Sequence, residues 1–173
     1  MCDVGGGSTE FIFGGDAGVD RRFSINLGAV KISDKYLASD PPSPEQVELA
    51  MSSVLGELQA NRVDAARPVD RLIGIGGTVT SMGSVKLKMA QYDPDLIQGA
   101  ALTRGDVDEL IRLFCSVPLG DRRSIVGLQP KRAEVIIGGA CIVRCIMECL
   151  DVAELTMSDR GLRHGLMFQL FQR

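Results

Sequence analysis

The densest chemistry in this chain lies close to its N-terminus, in Asp3-Val4-Gly5-Gly6-Gly7-Ser8-Thr9-Glu10. Consecutive glycines let a backbone turn tightly and approach a ligand with no Cβ in the way. Successive N–H groups in such a turn can converge on an anion. The flanking carboxylates repel phosphate, so they make sense as holders of a divalent cation or of a water beside it. A second glycine turn, Gly76-Gly77-Thr78, follows the apolar run 71–75 and precedes a helical stretch. A helix N-terminus there presents free N–H groups and again suits an anion.

Other signatures fail on these residues. A P-loop ends in Gly-Lys-Ser/Thr, and neither turn supplies the lysine. A dinucleotide fingerprint begun at Gly74 breaks at Val79. His164 is the one histidine, and no Gly-x-Ser-x-Gly elbow accompanies it. Cys141, Cys145 and Cys149 recur at helical spacing. Three thiols on one stripe can bind a soft metal, but with no nearby histidine or fourth ligand they read as core cysteines. None of the five cysteines forms a Cys-x-x-Cys pair, a pattern that fits a reducing, cytoplasmic compartment.

The elements that must carry these residues follow from the pattern. With 173 residues, 45% hydrophobic and 24% charged, the chain fits one domain with a sizeable core. A net charge of −3 argues against nucleic acid or an anionic membrane as the main partner. The most apolar stretch, 133–150, contains Glu134, Arg144 and Glu148 and is short for a bilayer. No basic region followed by an apolar run marks a signal peptide.

Alternation predicts strands over 2–4, 9–13 and 19–25, with a hairpin turn at 14–18. A loose helix follows over 27–37. Ser43 and Gln46 form a capping box before a helix with a stripe of Val47, Met51, Val54, Leu55 and Leu58, and Pro68 closes that region. A buried strand over 71–75 leads to a helix over 79–89. A strand over 96–102, a helix over 104–116 capped by Thr103, a short helix over 121–126 and a long one over 130–150 come next. Gly138-Gly139 reads as a close-packing point. A last strand over 155–157, a turn over 158–161 and a helix over 162–171 end the order, an α/β layer pattern.

Five ordered segments sharpen the reading: 3–10, Asn26-Leu27-Gly28-Ala29-Val30, Gly74-Ile75-Gly76-Gly77-Thr78, Leu128-Gln129-Pro130-Lys131-Arg132-Ala133, and Ser158-Asp159-Arg160-Gly161-Leu162-Arg163-His164-Gly165-Leu166. Together they resemble the second half of the exopolyphosphatase/guanosine pentaphosphate phosphohydrolase (Ppx/GppA) family, across essentially the whole chain. The resemblance implies an α/β, ribonuclease-H-like lobe of the actin/hexokinase/Hsp70 superfamily, a mixed sheet flanked by helices, with 1–173 as one domain. It implies a cytoplasmic hydrolase that releases orthophosphate from polyphosphate or from guanosine pentaphosphate. By analogy Asp3 holds Mg²⁺, directly or through water. The amides of Gly5, Gly6, Gly7 and Ser8 cradle the terminal phosphate, and Glu10 orients or deprotonates the attacking water. Gly76, Gly77 and Thr78 line the opposite side of the cleft.

Two departures qualify the resemblance. The family has a preceding lobe with the first phosphate loop and a catalytic glutamate, and nothing here corresponds to it. The chain is therefore expected to be a half-site fragment with little or no turnover, whose partner is the absent first lobe. Its exposed cleft face makes a homodimer a further candidate. Family members usually carry Glu where His164 stands, so no charge role transfers to that position. A non-enzymatic lobe that binds nucleotide or a partner stays open as the alternative, and a kinase lobe as a third reading. Arg160, Arg163 and Lys131-Arg132 read either as contacts for a polyanionic substrate or as helix-end charges on a solvated face.

Overall fold

Three strands joined in sequence open the chain: β1 (Cys2–Val4), β2 (Thr9–Gly15) and β3 (Gly18–Ile25). The structure, a computed structural model, describes residues 1–63 and 68–171. β1 and β2 run antiparallel with Asp3 opposite Glu10, and β2 and β3 run antiparallel with Glu10 opposite Ser24. Alternation along the strands puts Cys2, Val4, Thr9, Phe11 and Ile25 on the buried face. Asp3, Glu10 and Ser24 fall on the other face. Phe11, Phe13 and Phe23 stack across the hairpin, Phe11 and Phe23 with centroids 5.3 Å apart.

Helices α1 (Ala29–Tyr36) and α2 (Pro44–Ala60) follow. α2 starts with the expected capping box, in which Ser43 Oγ accepts from the Gln46 amide and the Gln46 side chain accepts from the Ser43 amide. Val54 and Leu58 of its apolar stripe are fully buried. The stretch before Pro68 includes residues 64–67, which lie outside the described residues. β4 (Leu72–Ile75) then leads into α3 (Gly76–Lys86). After it come α4 (Pro94–Ile97), β5 (Ala101–Thr103), α5 (Arg104–Cys115), α6 (Leu119–Arg122), α7 (Ile136–Cys149), β6 (Glu154–Met157) and α8 (Leu162–Phe171).

Among the described residues six strands form one mixed sheet in the order β3-β2-β1-β4-β6-β5. β1, β4 and β6 are parallel, and β5 pairs antiparallel with β6. The core gathers around α7, which packs against α1, α2, α3 and α5. Gly138 and Gly139 permit this approach. A Cβ on Gly138 would stand 2.6 Å from Ser33 Oγ and 2.7 Å from the Ala29 carbonyl, and one on Gly139 would press on Thr78. The close-packing reading of this pair holds.

Several element boundaries differ from the sequence expectation. The strand expected over 96–102 is a helical turn followed by a short strand. Asp93 caps that turn by accepting from the Asp95 amide, Pro94 occupies its first position, and Gly99 at φ +84 redirects the chain into β5. The expected long helix over 130–150 divides. Pro130–Arg132 is a 3-10 turn closed by tight bonds such as Arg132 N–H to the Gln129 carbonyl, and the α-helix begins only at Ile136. The short helix starts at Leu119 because Pro118 caps it from outside and the Arg122 amide reaches the Pro118 carbonyl at 2.9 Å. α3 begins at Gly76, so the second glycine turn is itself the first turn of a helix.

Candidate active site

Parallel β1, β4 and β6 bring their carboxyl ends to one edge of the sheet, the usual place for a ligand in an open α/β fold. The Gly5–Ser8 loop leaves β1 there, Gly76-Gly77 leaves β4, and Ser158-Asp159-Arg160 leaves β6. Gly76 has φ +85, and a Cβ on it would collide with the Asp3 carboxylate. A Cβ on Gly77 would collide with the guanidinium of Arg132. Asp3, the glycine turn and Arg132 are thus gathered at one point. Among the described residues no carboxylate lies within ion-pair distance of Arg132.

The first glycine loop is fixed by its own backbone and by α1. The Gly5 amide donates to the Ser8 carbonyl at 3.0 Å. The amides of Ala29 and Val30, the first of α1, donate to the carbonyls of Gly5 and Gly6 at 2.9 Å each. Gly28 lies so close to Gly6 and Gly7 that a Cβ on it would overlap their backbone. Thr9 Oγ1 donates to the Leu27 carbonyl at 2.6 Å. With its carbonyls turned onto α1, the loop keeps the amides of Gly6, Gly7 and Ser8 free of any described main-chain acceptor. Two groups of these turns have partners inside the fold. The Gly5 amide closes the loop, and the buried Thr78 hydroxyl donates to the Val4 carbonyl at 3.0 Å, tying α3 to β1.

The carboxylates sit in different surroundings. Asp3 is half-buried, and its pKa is raised from 3.8, first by burial and then by the negative charge of Glu10, with Arg132 pulling it back down. Glu10 is exposed, and its Oε1 accepts from Ser8 Oγ at 2.6 Å and from Ser24 Oγ at 2.7 Å. Among the described residues no three His, Cys, Asp or Glu side chains stand together as a metal cage. Two mutually repelling carboxylates at a phosphate-sized turn do fit Mg²⁺, which takes one or two protein carboxylates and completes its shell with water and substrate oxygens.

Around the end of β6 a cleft of about 430 Å³ is lined by Gln98, Asp159, Arg160 and His164. Tyr92 donates to the Asp159 carboxylate, and its own pKa is pushed up to about 12 by burial and then by that carboxylate. Arg163 is exposed on α8. The cysteine stripe lies in the core. Cys141 and Cys145 are buried, and burial pushes the Cys145 thiol up to about 12.

Sequence reasoning undervalues two groups. In the sequence Arg132 is only one of several basic residues. The 3-10 turn that aims it at Gly77 is closed by main-chain bonds that composition does not reveal. Nothing in the sequence singles out Ser24. Continuing the register from Gly14 opposite Val19 would set Glu10 against Phe23, but a bulge at Phe13/Gly14 shifts the pairing by one and brings Ser24 there.

The matches to known proteins agree with this geometry. The model of the Ppx/GppA phosphatase family matches residues 1–173. The bifunctional 3-dehydroquinate synthase/phosphatase of Fusobacterium nucleatum is 33% identical over 171 residues, covering 98% of this chain and 26% of that protein. Exopolyphosphatase 2 of Mycobacterium tuberculosis is 29% identical, covering 98% of this chain and 54% of that protein. A solved Ppx/GppA phosphatase of Aquifex aeolicus superposes with a TM-score of 0.90 at 30% identity, covering 98% of this chain and 56% of the other. The chain thus spans about half the length of the exopolyphosphatase and of the solved structure, and about a quarter of the Fusobacterium protein. The fold is the actin/hexokinase-like one of these phosphatases. Family model, relatives and superposition agree across the chain, which therefore belongs to the Ppx/GppA phosphatase family.

Proposed function

We propose that this chain is one lobe of a phosphohydrolase that removes a terminal phosphate from polyphosphate or from guanosine pentaphosphate. The observation that carries the reading is the pairing of Asp3 with Glu10 across β1 and β2, beside a glycine loop with free amides and opposite the Arg132 guanidinium. In such a site the amides of Gly6, Gly7 and Ser8 and the Arg132 guanidinium receive the terminal phosphate. Their charge and dipoles offset what develops on its oxygens, the main catalytic demand of phosphoryl transfer. Glu10 accepts a proton from water as the water oxygen bonds to phosphorus and the bridging P–O bond breaks. The products are orthophosphate and a chain shorter by one phosphate. Asp3 would hold Mg²⁺, which when bound neutralises phosphate oxygens and stabilises the leaving group.

Turnover on this reading needs the part of the relatives' length that these 173 residues do not span. The isolated chain is expected to release little phosphate. The test is phosphate release from polyphosphate with Mg²⁺, by the chain alone and by the full natural polypeptide that carries it. In the latter, Glu10→Gln is expected to lower kcat by roughly 10²- to 10⁴-fold, the usual worth of a positioned base. Unchanged turnover would remove Glu10 from the mechanism and favour a lobe that only binds nucleotide or a partner.

A further inference from the structure

The Ser24 hydroxyl has one visible task, and it belongs to the site. Ser24 lies on β3, directly across from Glu10 in the register, with an exposed side chain. Its Oγ donates to Glu10 Oε1 at 2.7 Å. Ser8, at the end of the glycine loop, donates to the same oxygen at 2.6 Å. Both hydroxyls thus act on a single carboxylate oxygen. Among the described residues no Lys or Arg forms an ion pair with Glu10, and no described donor reaches Oε2. An exposed glutamate on a strand otherwise samples several rotamers, because its side-chain torsions are soft and nothing packs on them. Two donors from separate strand ends define the plane and direction of this one. Asp3, Glu10 and Ser24 stand side by side on three adjacent strands. Ser24 is the outer member of that row, and it holds the base on the side away from the phosphate loop.

We propose that Ser24 is a positioning residue: with Ser8 it clamps Glu10 Oε1 and leaves Oε2 turned to the water that attacks the phosphate. This inference rests on Glu10 acting on water, as proposed above. A cross-strand hydroxyl–carboxylate pair on an exposed face contributes little to stability. A purely structural role for Ser24 therefore predicts almost no effect on any measurement.

The test compares Ser24→Ala, Ser24→Thr and Glu10→Gln in the full natural polypeptide, hydrolysing polyphosphate with Mg²⁺. Ser24→Ala is expected to lower kcat about tenfold, because a base displaced by a fraction of an ångström loses part of its near-attack geometry. KM and thermal midpoint are expected to stay near those of the unmodified protein. Ser24→Thr keeps the hydroxyl on a residue that suits a strand and is expected to restore most of the rate. A second readout needs no turnover: side-chain couplings of Glu10 measured by NMR in the 173-residue chain. A single Glu10 rotamer is expected in the unmodified chain, and rotamer averaging in Ser24→Ala. Full kcat in Ser24→Ala alongside a collapse in Glu10→Gln would overturn the role of Ser24 while leaving Glu10 as the base. Equal loss in the Ser24→Ala and Ser24→Thr variants, or an unchanged Glu10 rotamer, would also overturn it. Full turnover in Glu10→Gln would instead sink the catalytic reading on which the inference depends.

Discussion

At the scale of single residues, the site keeps a charge that the fold would rather lose. Burial and the neighbouring Glu10 both raise the Asp3 pKa above its ordinary 3.8. The folded state then binds the Asp3 proton more tightly than the unfolded state does. This tighter binding favours folding at low pH, and its benefit is lost as pH rises from about 3.8 through the higher folded value. Above both values the ionised carboxylate carries a constant penalty. Asp3→Asn is expected to raise the thermal midpoint at neutral pH and to remove the part of the pH dependence that begins near 3.8, while ending Mg²⁺-dependent turnover. Thermal melts of the two proteins from acid to neutral pH measure the difference, and a lower midpoint for the variant at neutral pH would contradict the sign. Arg132 is the opposite case, a guanidinium held against Gly77 and free of any ion pair among the described residues. A charge-assisted bond to phosphate is worth about 1.5–3 kcal/mol. Arg132→Met is therefore expected to lower kcat/KM for polyphosphate about 10- to 100-fold, with a fall in kcat as well as a rise in KM because the guanidinium also offsets charge developing in the transition state, as steady-state kinetics on the full polypeptide would show.

At the scale of elements, the aim of Arg132 depends on a second arginine. Arg122 is only 3% exposed, yet its guanidinium is well supplied with partners. It donates to the carbonyls of Phe114 at 2.7 Å, Val117 at 3.0 Å and Ala133 at 3.2 Å, and to Asp40 at 3.2 Å. One side chain thus ties the end of α5, the entry to α6 and the residue after Arg132. Arg122→Met keeps much of the volume but orphans those carbonyls. It is expected to cost about 3 kcal/mol, read as a lower urea midpoint at unchanged slope. None of this was legible in the sequence, where Arg122 looks like an ordinary surface charge between Asp121 and Arg123. What was legible had local causes. The Ser43–Gln46 box, the Thr103 cap and the alternation of β2 depend on neighbours a few residues apart, and they stand where expected. The Gly5–Gly7 loop and the Gly76-Gly77 turn were legible for the same reason. Register and reach were not. The bulge that pairs Glu10 with Ser24 and the contact of Thr78 with Val4, 74 residues apart, are set by tertiary packing.

At the scale of the whole molecule, the terminal helix stands apart from the core that α7 organises. Leu166, Met167, Phe168, Leu170 and Phe171 of α8 are all exposed, Phe171 at 74%. Contiguous apolar surface of this kind facing water usually marks a surface that another body covers. The sheet edges offer a poorer route to association. β3 presents Asp20, Arg21 and Arg22 along its exposed length, and β5 has three residues. Charged and short edges both discourage strand addition. The 173-residue chain is therefore expected to self-associate through α8, with the apparent mass in light scattering rising from low to high micromolar concentration. Met167→Glu combined with Phe171→Glu removes apolar area without touching the core, so it is expected to hold the chain monomeric at an unchanged thermal midpoint. A strict monomer at every concentration would sink this prediction. Association that survives the double variant would move the interface from α8 to the open edge of the sheet, where Asp3, Arg132 and the two glycine turns lie.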